Sequence, residues 1–254
     1  MVNQGFQGFR DIRDDRIAHR PVGLASVFST VLLAETIRTV LPTGAQLVID
    51  VGGGEAPYAG WVAGQMHVAV DRRTPPDTLA SHQIVGDACA LPLADGAADL
   101  ILCTEVVEHV FDEHALYREL RRVVRPGGSL VLSSPFVHGL HESPHDYRRP
   151  TSAGLVHGLR HAGFEIEAVH AVGSTADVLR DLLYREVAPH VARGARGAPG
   201  PLGRVIRTRF RARQAASADR SLRRSAASPA GIDPMRARPR LTLGYVVLAR
   251  PAAR

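Results

Sequence analysis

Val48-Ile49-Asp50-Val51-Gly52-Gly53-Gly54-Glu55-Ala56-Pro57-Tyr58 is the stretch whose reading decides the fold. An apolar run of buried-strand character ends in a glycine triplet, and a helix is expected from Pro57 to Ala63. Glycine gives a turn dihedrals closed to other residues and lets a ligand approach the backbone closely. Amides at the start of a helix favour an anionic group. Working outward, strands are expected at Gln46–Val51, His67–Asp71, Gln83–Val85, Asp99–Cys103 and Leu130–Ser134, the last entered through the turn Pro126-Gly127-Gly128. Helices are expected at Val22–Leu41 and Asp112–Val124. Past Pro150 the pattern predicts a helix (Thr151–His161), a strand (Phe164–His170), an amphipathic helix (Thr175–Val187) and a final strand (Leu241–Ala249). Continuous apolar strands separated by helices argue for an α/β fold. The expectation is a Rossmann-like, doubly wound, mostly parallel seven-stranded sheet with helices on both faces.

All 31 basic residues are arginine, and the net charge is +6. The charge is uneven: 13 arginines face only Asp219 and Asp233 between Arg193 and Arg240, a local +11 that leaves −5 elsewhere. At 45% hydrophobic residues in 254, the chain has enough apolar residues for a full core. The expected organisation is a core of residues 1–192 and 239–254, with 1–45 a helical N-terminal region. Residues 193–238 read as an arginine-rich, partly disordered insert containing a linker (Arg193–Pro201) and a short basic amphipathic helix (Arg204–Gln214). Such a segment can meet an anionic membrane surface or a phosphorylated ligand. Only Phe210 interleaves with its arginines, so base stacking lacks a platform and nucleic acid is not the expected partner. Cys89 and Cys103 exclude a disulfide scaffold and suit a reducing cytoplasm. The first twenty residues carry Asp11, Asp14 and Asp15 without an apolar stretch, so no secretory signal is expected there.

Acids recur where the strands end. Asp71 closes the second strand, about 20 residues past the glycines, where a carboxylate can accept both ribose hydroxyls of a nucleoside. Asp87 follows the third strand, at the same sheet edge. Thr104-Glu105-Val106-Val107-Glu108-His109 follows the fourth. The glycine spacing argues against a nicotinamide dehydrogenase, because Pro57 stands where that fingerprint has its third glycine.

As an ordered set, Asp50, Gly52, Gly54, Asp71, Asp87, Glu105 to His109 and the Arg125-Pro126-Gly127-Gly128 turn resemble the class I S-adenosylmethionine-dependent methyltransferases. The resemblance runs roughly from Leu47 to Val172. His145-Asp146-Tyr147-Arg148-Arg149-Pro150-Thr151 and Gly54-Glu55-Ala56-Pro57-Tyr58 look like the PHDYYRYT and GxxPY segments of a bacterial subgroup. Two departures stand out. Ala56 replaces the third glycine of the motif, and Arg149-Pro150 replaces an arginine-aromatic pair. The resemblance implies S-adenosylmethionine as cofactor. Asp50 would organise the loop, Gly52, Gly53 and Gly54 would pass the methionine part, and Thr104 and Glu105 would close over it. Asp71 would hold the ribose, with Arg72 beside the adenine; Asp87 and the Ala88 amide would bind the adenine.

An oxygen or nitrogen acceptor must also lose a proton, and histidine has the right acidity for that task. The candidates are His109, His138, His141 and His145, with Asp146 as an orienting carboxylate. No metal is expected: His138, His141 and His145 are irregularly spaced and have no cysteine nearby. The expected acceptor is a small molecule or glycan in specialised-metabolite or cell-surface biosynthesis. A nucleic-acid methyltransferase and a non-catalytic cofactor-binding protein are the alternatives.

Overall fold

The computed structural model describes residues 26–62, 65–74, 78–183 and 241–253. The chain divides into two compact units, residues 33–175 with 229–254 and residues 1–32 with 176–228. The first unit holds a seven-stranded sheet: β1 Leu47–Val51, β2 Met66–Asp71, β3 His82–Val85, β4 Ala98–Thr104, β5 Val124–Pro135, β6 Phe164–Val172 and β7 Gly244–Pro251. Their order is β3-β2-β1-β4-β5-β7-β6. The first five pair in parallel, and β7 runs antiparallel between β5 and β6. Every expected strand is present, and the doubly wound architecture is the one the sequence predicts.

The central strands are buried on both faces, as their unbroken apolar sequences require: Val48, Ile49, Leu100, Ile101, Leu102, Leu130 and Leu132 are almost wholly inaccessible. Two helices flank this sheet within the unit, α2 Glu113–Val123 and α3 Ser152–His161. Asp112 caps α2 by accepting from the Ala115 amide at 2.9 Å, and Thr151 caps α3 by accepting from the Gly154 amide at 3.1 Å. Asp99 joins three strand beginnings. Its carboxylate accepts from the Gln46 and Leu47 amides at 2.9 and 2.8 Å and pairs with Arg125. Helix α1, Ser26–Val40, spans the boundary of the two units, and α4, Thr175–Leu182, falls almost wholly in the second.

Two local expectations are corrected. The Pro126-Gly127-Gly128 turn is a bulge inside β5, since Ala98 pairs with Val124 but Leu100 already pairs with Ser129. A side chain at Gly128 would lie 2.9 Å from the Asp99 carbonyl, so only glycine lets the bulge close against β4. The helix expected at Pro57–Ala63 is a four-residue 3₁₀ turn, Ala59–Val62. Ala56 N–H donates to the Gly53 carbonyl, Ala59 N–H to Ala56 and Trp61 N–H to Tyr58, three successive tight turns. Gly60 in their midst weakens any longer helix. The linker, basic helix and insert expected within 193–238, and the far end of the helix expected at Thr175–Val187, lie outside the described residues.

Candidate active site

The parallel strands deliver Asp50, Asp71, Thr104 and Ser133 to one edge of the sheet, the carboxyl edge where open α/β sheets place ligands. Beyond β1 the chain turns through Gly52 and Gly54, with φ of +68° and +50°. A side chain at Gly52 would lie 2.4 Å from a Val106 methyl, so this glycine lets the loop after β4 pack on the loop after β1. Over Gly54 there is open space. Ala56 also has a left-handed φ of +54°, contrary to the ordinary dihedrals that would make alanine a harmless replacement for glycine. Its methyl is wholly buried.

Asp50 is wholly buried, and its Oδ2 lies 3.4 Å from His67 Nε2 on β2. Burial raises its carboxyl pKa, and His67 opposes the shift. Asp71 clasps the loop: Oδ2 accepts from the Gly54 amide at 3.1 Å and Oδ1 from the Arg73 amide at 3.2 Å. Arg72 is exposed beside it. Asp87 is exposed and accepts from the Cys89 amide at 2.8 Å, shaping the turn that contains Ala88. Glu105, at φ +56°, accepts from the buried Ser133 hydroxyl at 2.8 Å. Tyr58 is buried; its hydroxyl meets Thr104, and its acidity is suppressed by burial, then by the charges of Glu105 and Asp50. Its ring packs at a tilt against Trp61, centroids 5.1 Å apart. Its polar end nevertheless joins the wall between the two halves of the site.

A second group of polar side chains beside these residues is built from two loops. The 3₁₀ turn Val107–His109 carries Glu108 and His109, and the segment from Val137 to Pro150 lies across it, with the Tyr147 amide donating to the Glu108 carbonyl at 2.7 Å. The His109 and His141 rings meet edge to face at 4.7 Å, and the His138 ring lies 4.7 Å from His141. His145 stands apart from this group: its Nδ1 lies 2.9 Å from the Tyr147 hydroxyl, while its carbonyl lies 2.7 Å from His109 Nδ1. Asp146 accepts from the His141 amide at 2.8 Å, and its Oδ2 is 3.4 Å from His141 Nδ1. Arg149 grips both Asp146 oxygens, 2.7 Å from Oδ2, and this holds the Asp146 carboxyl below the ordinary range. Burial lowers the His141 pKa.

Two residues of this group were not singled out by sequence reasoning. Arg149 entered only as a departure from a motif, yet it anchors Asp146 and donates to the Gly139 carbonyl at 3.0 Å. Glu108 is wholly buried, and burial, then the nearby Glu105 charge, pushes its carboxyl pKa up to about 9. Its place inside Glu-x-x-Glu-His was the only signal available. Cys89 and Cys103 are small packing residues, and burial raises both thiol pKa values.

An open cradle over Gly54, a carboxylate clasping it and a second carboxylate one loop away are what an adenosyl amino acid requires, so these residues fit S-adenosylmethionine. Residues 49–132 match the family described as "Methyltransferase domain".

Over this stretch the chain is similar to S-adenosylmethionine-dependent methyltransferases.

A methyltransferase of Mycobacterium sp. (strain JLS) is 37% identical over 98 residues, covering 35% of this chain and 39% of that protein. A probable S-adenosylmethionine-dependent methyltransferase of Mycolicibacterium smegmatis is 35% identical over 88 residues, covering 32% of this chain and 34% of that protein. The chain thus spans well under half the length of the curated relatives it matches. The crystal structure of an S-adenosylmethionine-dependent methyltransferase from Mesorhizobium loti superposes with a TM-score of 0.52 at 16% identity, over 90% of this chain and all of that one, which speaks to the methyltransferase fold. Among the described residues, no helix is long and apolar enough to cross a membrane.

Proposed function

We propose that the chain transfers a methyl group from S-adenosylmethionine to an oxygen or nitrogen of a small-molecule or glycan-type acceptor. The observation that carries this reading is the contiguity of the two halves. Gly52 lies against Val106, Thr104 meets Tyr58, and four residues past Thr104 begins the Glu108–His109–His141 cluster. The residues assigned to the cofactor therefore lead, within a few positions of chain, into a polar group of side chains.

When bound, the cofactor supplies a sulfonium-activated methyl, whose C–S bond breaks as the acceptor's oxygen or nitrogen bonds the carbon. The chain's own task is alignment and removal of one proton from the acceptor. Asp50, Gly52, Gly53, Gly54, Asp71, Arg72, Asp87, Ala88, Thr104 and Glu105 are assigned to the cofactor. His109, His138, His141, His145 and Asp146 are assigned to the acceptor, with Asp146 and Arg149 fixing His141. The PHDYYRYT-like segment supports the bacterial-subgroup assignment, because it supplies both Asp146 and Arg149. The +11 charge of residues 193–240 favours an acceptor or surface that is anionic.

The test is calorimetry with S-adenosylmethionine, followed by transfer of labelled methyl to panels of glycosidic, phenolic and amine acceptors. Absence of cofactor binding by folded protein would overturn the reading. If His138→Ala, His141→Ala and His145→Ala each keep full turnover on an acceptor found this way, the proton leaves elsewhere, and His109 is the next position to examine.

A further inference from the structure

Glu108 is an anomaly in the acceptor half. Its side chain is wholly buried, and among the described residues neither carboxylate oxygen finds a hydrogen-bond partner from another residue. A buried carboxylate left that way costs several kcal/mol, a cost met either by taking up a proton or by a cation. Its Oε1 points toward His109, 3.8 Å from Nε2.

The two neighbouring imidazoles are held from behind. His109 Nδ1 lies 2.7 Å from the His145 carbonyl, a bond that only an N–H on Nδ1 can donate, which leaves the lone pair on Nε2, the nitrogen facing Glu108. His141 Nδ1 lies 3.3 Å from the Gly139 carbonyl and 3.4 Å from Asp146 Oδ2. A proton on that nitrogen likewise leaves Nε2 bare. A ring N–H donated to a carbonyl or carboxylate, with the other nitrogen unprotonated, is the usual setting of a metal-ligating histidine. One ligand atom from each of Glu108, His109 and His141 lies within 4.8 Å of the other two. A tetrahedral ion about 2.1 Å from each donor needs separations of about 3.4 Å, so the set closes by roughly an ångström of side-chain movement.

We propose that Glu108, His109 and His141 bind a divalent transition-metal cation of the zinc class. Two imidazoles and one carboxylate leave further coordination positions for water or an oxygen of the acceptor. The site itself does not depend on methyl transfer. Its use, orienting and acidifying an acceptor hydroxyl as a Lewis acid, rests on the methyltransferase reading. It would relieve His141 of acting as the base by itself.

The experiment is titration of tag-free, chelator-treated full-length protein with Zn²⁺ by calorimetry and with Co²⁺ by visible absorption. S-adenosylmethionine affinity is measured in parallel. The expected result is one saturable site per chain with ligand-field bands in the cobalt form. Glu108→Gln and His141→Ala should each weaken metal binding at least about tenfold and abolish the bands, at unchanged cofactor affinity. Should either variant fail to fold, His109→Ala serves in its place. No saturable uptake by the wild type, or uptake and bands unchanged in these variants, overturns the proposal. Loss of cofactor binding with metal uptake intact would overturn the methyltransferase reading and leave the metal site standing.

Discussion

Replacing Gly52 with alanine tests the contact that joins the two halves of the site. Two costs add. At φ +68° a residue with a Cβ pays about 1–2 kcal/mol. The new methyl would also sit 2.4 Å from Val106 Cγ2, far inside the ~3.5–4.0 Å optimum, and overpacking of this kind costs about 1–3 kcal/mol. Alanine returns about 0.4–1 kcal/mol by restricting the unfolded chain. The net loss is about 1.5–4 kcal/mol, which for a chain of this size lowers Tm by roughly 3–16 °C. Cofactor affinity should fall as well, because the loop can relieve the clash only by moving off Val106. A double-mutant cycle with Val106→Ala separates the two costs. Removing the opposing methyls should recover the steric part, a coupling of about 1–3 kcal/mol, and leave the dihedral part untouched. Urea denaturation of the four proteins measures it. Additivity within about 0.5 kcal/mol would refute the packing of the glycine loop on the 104–106 segment.

Asp71→Asn replaces one of the two carboxylate oxygens that hold the Gly54 and Arg73 amides, and S-adenosylmethionine affinity by calorimetry should weaken at least about tenfold in a folded protein. Arg149→Leu leaves Asp146 buried beside His141 without its cation; stability should fall by about 3–5 kcal/mol, read by chemical denaturation, and acceptor turnover should fall with it. The Asp99 carboxyl is held below its ordinary value of 3.8 by the Leu47 amide first and Arg125 second. A depressed carboxylate contributes stability that is present above its unfolded pKa and lost as pH falls through the folded one. The gap in unfolding free energy between wild type and Asp99→Asn should therefore be widest near neutrality and narrow below about pH 4; a gap that is constant with pH would contradict the assignment.

Sequence by itself determined the sheet. Runs such as Val48–Val51 and Asp99–Cys103 are apolar at every position or nearly so, and only a strand covered on both faces can bury them; that is a local property, legible in composition and spacing. The helix starts at Asp112 and Thr151 were legible too, while their caps, each a side chain reaching an amide three residues on, came from the structure. The acids at strand ends were legible because a parallel sheet brings those ends to one edge whatever the details. The turn after the glycines was not. Whether Pro57–Ala63 forms a helix depends on the left-handed Ala56, and that conformation is held by neighbours far along the chain, Asp71 on the Gly54 amide and Val106 against Gly52. Only tertiary structure could single out Glu108, because its burial is visible only in the folded chain, where the Tyr147 amide, 39 positions on, meets the Glu108 carbonyl. For the same reason the histidines could be nominated from sequence but not sorted. His145 and His141 are four residues apart and chemically alike; the chain's path turns one ring toward Tyr147 and sets the other between His109, His138 and Asp146.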